Sequence, residues 1–390
     1  LSTSAEEILA KLVSFDTTSN KPNRACIDYV RAFLSGYGVP SEILADDSGD
    51  KANLFATVGS SGTSGIVLAG HTDVVPVDDQ KWTSSPFVLA ERNGKIYGRG
   101  TTDMKGFLAC ALSMVPEFLA AKTATSFHLA LTSDEETDMA GAARLSSALR
   151  QRGFKPAWVW LGEPTGLNVI DRHKGASSFV TTFTGVPGHS SLPQNGLNAI
   201  ELAAQWIDIL MDIQQKKKAN PFSPSVFDPP YTTVNLGSIR GGTAENIIAE
   251  TCELVWELRI HPGDDGEALR AEVERLASSQ MASRFTALAS KARMETRLLS
   301  HTPSFQGTEG NAGVKALQFV KKDLRISAAG FATEAGFFQK LGADVVICGP
   351  GSVEQAHQPD EFIDKSQLSS CVDLMRQVLL SSTPCTCAKC

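Results

Sequence analysis

No apolar run in the chain approaches the ~20 residues that a membrane-spanning helix needs. The longest, GIVLAG (65–70) and ADVVICG (343–349), fall far short, so no membrane partner is expected. A basic surplus is also missing. The 36 Lys and Arg residues face 43 Asp and Glu, giving a formal net charge of −7 without a basic stripe. Nucleic acid is therefore not an expected partner. Cysteine is too sparse for a disulfide framework: there are 8 in 390 residues. Cys26, Cys110, Cys252, Cys348 and Cys371 stand alone in apolar surroundings, where a thiol behaves as a small hydrophobe. Only the tail CTCAKC gathers thiols, at 385, 387 and 390, and it reads as a frayed terminus rather than a soft-metal site. The first residues, LSTSAEEILAKLVSF, lack the basic start and continuous apolar stretch of a secretory signal. They read as an amphipathic helix capped within Ser2–Ser4, and the cytosol is the expected compartment. No repeat with a period of 20–50 residues is visible.

What remains is ordinary globular composition, with 42% hydrophobic and 20% charged residues and 32 glycines. That excludes disordered, collagen-like and coiled-coil chains. The length suggests two or three domains, or one large one. NLFATVG (53–59), GIVLAGH (65–71), FHLALTSD (127–134), AWVWLGE (157–163) and DVVICGP (344–350) read as buried parallel strands. Helix-like stretches such as 104–121 and 141–153 alternate with them, which indicates a mixed, mostly parallel α/β sheet with helices on both faces.

The pattern changes near residue 174. GASSFVTTFTG, a helix near 197–215, YTTVNLGSIRGG, a long strand NIIAETCELVWELRIHPG, a helix and ARMETRLLSHTPSF follow in β-α-β-β-α-β order. We expect a ferredoxin-like domain at 174–300, inserted into an α/β domain formed by 1–173 and 301–390. KKKANPFSPSVFDPP (216–230) is the expected exposed loop. His128 reads as strand-face packing, and His173 and His301 adjoin the two crossings.

The acids and histidines fall in a pattern. His71 and Asp73 (GHTDVVP), Asp103 (GRGTTDMKG), Glu135 and Glu136 (LTSDEET), Glu163 (WLGEP) and His357 (GPGSVEQAHQPDEF) are each expected at or just beyond the C-terminal end of a parallel strand. Open α/β sheets place their sites at that edge. Imidazole and carboxylate without thiolate suit zinc, cobalt or manganese, and this many ligands suits two ions bridged by one carboxylate. His71 is a first ligand. Asp73, two residues on, faces the same way and is expected to accept the other ring hydrogen of His71. Adjacent Glu135 and Glu136 cannot aim identically, so one can bind metal and the other act as a general base.

GHTDVVPV, GRGTTDMKG, TSDEET, GEP, GHSS, GGTAEN and the late His357, in that order, resemble the dinuclear-zinc aminoacylase and carboxypeptidase superfamily, peptidase family M20. HKGASS, FATEAGFF and GPGSVEQAHQPDEF resemble its acetylornithine deacetylase branch. The resemblance implies a hydrolase of small N-acyl amino acids. Desuccinylation of succinyl-diaminopimelate, deacetylation of acetylcitrulline and dipeptide cleavage are the alternatives, and a metal-retaining amino-acid-binding protein is the non-enzymatic one. It implies two zinc ions, one on His71 and Glu163, the other on Glu136 and His357, with Asp103 bridging. It further implies Glu135 as base and acid, Asp73 orienting His71, and a cis Asp103–Met104 peptide. The inserted domain becomes a lid and homodimer interface that offers His189 to the oxyanion. Asn246 and Arg259 are implied to hold the substrate carboxylate, with Thr333 and Gly351 as rim contacts.

Overall fold

The computed structural model describes residues 3–60, 64–284, 288 and 291–380. The cysteines at 385, 387 and 390 lie outside the described residues. The chain divides into two compact units: Leu1–Arg172 with Gln306–Ser327 and Thr333–Cys390, and His173–Phe305 with Ala328–Ala332.

The first unit is built on a mixed sheet. Four neighbouring strands, Ser126–Thr132, Ile66–His71, Trp158–Pro164 and Asp344–Gly349, run parallel at its centre. Nearly every residue in them is buried, as expected of strands covered on both faces. Phe127, Leu129 and Leu131 face a core shared with the helices Ala5–Val13, Arg24–Gly36, Lys105–Ala121 and Lys365–Leu380. Ala140–Gln151 and Ala335–Gln339 form a separate cluster around Met139, Ala142 and Phe337. Ser4 caps the first helix through a reciprocal pair with Glu7: the Glu7 N–H donates to Ser4 Oγ at 3.2 Å and the Ser4 N–H to Glu7 Oε2 at 2.8 Å. Among the described residues no helix is long and apolar enough to cross a membrane.

One strand runs against expectation. Ala52–Gly59 is antiparallel to both its neighbours, Ser41–Ala45 and Ser126–Thr132. The short turn at 46–51, where Asp46 accepts the Gly49 and Lys51 N–H groups, can join only antiparallel strands. A strand buried on both faces has the same apolar pattern in either direction, so its periodicity carried no sign of this.

The second unit is a four-stranded antiparallel sheet in the order Thr233–Gly241, Thr251–Ile260, Gly175–Thr184, Arg293–Thr302. With the helices Ala199–Ala219 and Gly266–Arg284 this is a βαββαβ arrangement. Cys252, Leu254, Trp256, Leu258 and Ile260 alternate inward and pack with Phe179, Phe183 and Trp206 under the helices. The intervening Glu253, Glu257 and Arg259 therefore turn to the opposite face. Two details differ from expectation. Ile247–Ile248 is split from the long strand and pairs instead with Gly188–His189. Lys216, Lys217 and Lys218 belong to the last turn of their helix, where their charge complements its C-terminal dipole, and the loop begins at Asn220. His301 lies within the strand Arg293–Thr302, where its Nδ1 is 2.8 Å from Ser177 Oγ.

Candidate metal centre and active site

Each acidic or imidazole group is delivered by a strand or helix end of the first unit. His71 closes Ile66–His71, and Glu163 lies near the end of Trp158–Pro164. Glu135 and Glu136 follow Ser126–Thr132, and His357 lies beyond Asp344–Gly349. Asp103 is the exception. It comes not from a parallel strand but from the turn that enters Lys105–Ala121, and its peptide to Met104 is cis. That helix presses close to the sheet: a Cβ on Gly162 would lie 1.9 Å from the Phe107 ring. The approach brings Asp103 beside the strand that carries Glu163.

His71 is fully buried, and its Nε2 is 3.0 Å from Asp103 Oδ1 and 3.9 Å from Glu163 Oε1. His357 Nε2 is 3.1 Å from Glu136 Oε1 and 3.4 Å from Asp103 Oδ2. Two sets of potential ligand atoms, His71–Asp103–Glu163 and Asp103–Glu136–His357, each close to within 4.8 Å and share Asp103. A third set, His71–Glu135–Glu136, brings Glu135 to the same place.

The electrostatics mark a site short of positive charge. Burial, with neighbouring carboxylates, pushes Glu135 and Glu163 well above the usual carboxylate range and raises Glu136. Burial would also raise Asp103, but hydrogen bonds from His357 and His71 hold it low. Burial lowers His71, yet the Asp103 hydrogen bond and the charges of Glu163 and Glu135 lift it well above its ordinary value. The Asp103 and Glu136 hydrogen bonds raise His357 to about 10. Among the described residues, the buried Glu163 Oε1 has no hydrogen-bond partner. An orphaned carboxylate oxygen in a crowd of acids and imidazoles fits divalent cations, which would supply the missing charge.

Asp73 does not orient His71 as expected. The ring Nδ1 donates to the Asp73 backbone carbonyl at 2.9 Å, while the carboxylate lies 3.7 Å away. The carboxylate instead accepts the N–H groups of Glu135 and Glu136, both at 3.2 Å, and the Ser19 hydroxyl at 2.9 Å. With Nδ1 so engaged, His71 Nε2 is the ring nitrogen that faces Asp103 and could ligate.

Thr333 is buried, and its hydroxyl accepts the Ala335 N–H at 3.2 Å at the start of a short helix. Gly351, at φ +82°, accepts the Gly166 N–H at 2.6 Å, and a Cβ there would lie 2.7 Å from Thr102 Oγ1. Three further residues belong to the second unit. His189 is exposed, and its Nδ1 lies 2.8 Å from Ser191 Oγ and 3.2 Å from the Ser191 N, which leaves Nε2 outward. Asn246 lies beside it, its carbonyl accepting the Ser190 N–H at 3.0 Å. Arg259 is 3.3 Å from Glu257 and lines a cavity of about 270 Å³ with Lys174 and Asp228.

Three groups escaped the sequence reading. Arg99 and Glu361 form an ion pair with both side chains 1% exposed. Glu334 is fully buried, accepts the Thr132 hydroxyl at 2.8 Å, and is raised by burial to about 7. An acid inside the apolar FATEAGFF was the available signal for Glu334.

A model of peptidase family M20/M25/M40 matches residues 67–381. The chain belongs to peptidase family M20. It is a metallo-amidohydrolase of that family. It is 37% identical over 370 residues to the acetylornithine deacetylase of Proteus mirabilis, covering 93% of this chain and 91% of that one. It is 35% identical to the enzyme of the same name from Pasteurella multocida, covering 94% and 93%. Among solved structures, an M20 metallo-carboxypeptidase of Sulfolobus solfataricus aligns with TM-score 0.74 at 18% identity, covering 97% of this chain and 99% of that one. A dinuclear metal-binding M20 peptidase of Bacillus subtilis aligns with TM-score 0.64 at 15% identity, covering 96% of each chain. At such identities these structures speak for the M20 fold.

Proposed function

We propose that this M20 enzyme hydrolyses N-acyl amino acids, N2-acetyl-L-ornithine foremost, to L-ornithine and acetate, and serves arginine biosynthesis in the cytoplasm. The observation that carries the reading is the pair of ligand sets sharing Asp103, with Glu135 held beside them. The names of the 35–37% identical relatives support the substrate.

His71 and Glu163 would hold one zinc ion, Glu136 and His357 the other, with Asp103 between them; cobalt or manganese are the natural substitutes. When bound, the ions polarise the scissile carbonyl and acidify the attacking water. Glu135 takes the proton from that water and delivers it to the departing amine. Water adds its oxygen to the acyl carbon, the C–N bond breaks, and amine and acetate leave. The Nε2–H of His189 donates to the developing oxyanion. The second unit acts as a lid and joins two chains as a homodimer, offering His189 to its partner's site. Asn246 and Arg259 hold the substrate carboxylate; a guanidinium suits that group because it can bond both oxygens at once. Thr333 and Gly351 line the rim.

The test is amine release by zinc- or cobalt-loaded protein offered N-acetyl-L-ornithine, N-acetyl-L-citrulline, N-succinyl-diaminopimelate and a dipeptide in parallel. Preference for acetyl-ornithine is expected. Preference for another substrate would overturn the specificity, and no release from any would overturn the deacetylase reading.

A further inference from the structure

The Glu361 carboxylate, buried in the first unit, gathers four donors. Oε2 accepts Arg99 Nη1 and the Gly100 N–H, both at 2.9 Å. Oε1 accepts the Thr102 N–H at 2.8 Å and the Asp103 N–H at 3.1 Å. A carboxylate has about four lone-pair sites, so its capacity is filled. Three of the four donors are backbone groups of the turn that presents Asp103.

Arg99 extends the grip to a second segment. Its Nη1 also donates to the Gln358 carbonyl at 3.2 Å, and its Nη2 donates to Gln80 Oε1 at 2.6 Å. Gln80 in turn donates from Nε2 to the His357 carbonyl at 3.1 Å. The Trp82 ring covers the guanidinium at 5.0 Å, and its Nε1 donates to Gln80 Oε1 at 3.1 Å. One connected network therefore holds the backbone at Gly100–Asp103 and at His357–Gln358, whose side chains meet at 3.4 Å.

Stability alone does not call for such a pair, because apolar residues of similar size often replace a buried ion pair at no cost. We propose that Glu361, acting with Arg99, is a positioning residue that fixes the separation of Asp103 and His357, and with it the metal position they share with Glu136. The inference rests on the proposed metal ligation and adds the groups that set its geometry.

The experiment titrates metal-stripped full-length protein with cobalt, read by calorimetry and by the visible absorption of the bound ion. The variants are Glu361→Gln, whose amide offers one acceptor oxygen to four donors, and the double variant Arg99→Met/Glu361→Leu. The parent is expected to bind two ions per chain. Both variants should keep the parent's far-UV circular dichroism, hold one ion about 10–100-fold more weakly, and show an altered cobalt band. Parent-like affinity and band in both would overturn the proposal while leaving the metal reading intact. A parent that binds no cobalt would instead overturn the metal reading itself. Should the buried variants fail to fold, Gln80→Leu decides, because from a partly exposed position it removes the link to His357 and the acceptor of Arg99 Nη2 and Trp82 Nε1, while the Glu361 bonds to the Asp103 turn stay in place. Weakened affinity and a shifted band are expected there, and an unchanged titration would overturn the proposal.

Discussion

Asp73 holds the backbone of Glu135: one carboxylate oxygen accepts the Glu135 N–H and the other the Glu136 N–H, each at 3.2 Å. The tautomer of His71 is fixed separately, by the Asp73 backbone carbonyl. The side chain and the main chain of one residue thus set two different parts of the site.

Replacing the side chain should therefore disturb the glutamates and spare the imidazole. Asp73→Asn keeps one acceptor oxygen and loses the other, so turnover is expected to fall roughly 10–100-fold, the range seen when groups supporting ligands are removed. The Nδ1–H resonance of His71 in proton NMR should persist, because its acceptor is main chain. Loss of that resonance with turnover intact would show that the carboxylate serves the ring after all.

Glu135→Gln removes a proton acceptor and keeps the shape. Turnover on an N-acyl amino acid should fall by about 10² or more, with the metal content measured by mass spectrometry unchanged. Metal loss in this variant would make Glu135 a ligand, and near-normal turnover would move the base elsewhere.

His128 gives a pH-dependent contribution to stability away from the site. It is 1% exposed, stacked on Phe55 and met edge-on by Phe154, with Nδ1 2.9 Å from Thr57 Oγ1. Burial lowers it from 6.5 to about 4. The unfolded chain therefore binds the extra proton first. The stabilisation is complete above about pH 6.5 and is lost as pH falls towards 4. Between pH 7 and pH 5 the loss amounts to about 2 kcal/mol. His128→Phe should remove that much of the decline in the urea-unfolding free energy over this interval. An identical decline in parent and variant would mean that His128 is not the group responsible.

Much of this architecture was legible in the chain. Continuous apolar runs marked the central strands, and the acids and histidines just past their ends, Asp103 excepted, pointed to the candidate cluster, because a parallel sheet delivers those ends to one edge. The antiparallel course of Ala52–Gly59 was not legible, since direction leaves no trace in a strand buried on both faces. The two-residue spacing of His71 and Asp73 points to a bond between them, but it does not distinguish a side-chain oxygen from the main-chain one that makes the bond. Glu361 and Arg99 escaped because Glu361 meets its donors, the Arg99 side chain and the N–H groups of Gly100, Thr102 and Asp103, 258–262 positions away in sequence. Only the folded chain brings those groups together.

The most direct measurement strips the protein with a chelator, restores zinc stepwise, and follows amine release from N-acetyl-L-ornithine together with bound zinc per chain. Release should be abolished in the stripped protein and return as zinc fills the sites, reaching its plateau by two ions per chain. Full release from stripped protein, or zinc binding that never restores it, would contradict the metal-dependent deacetylation proposed for the cluster around Asp103.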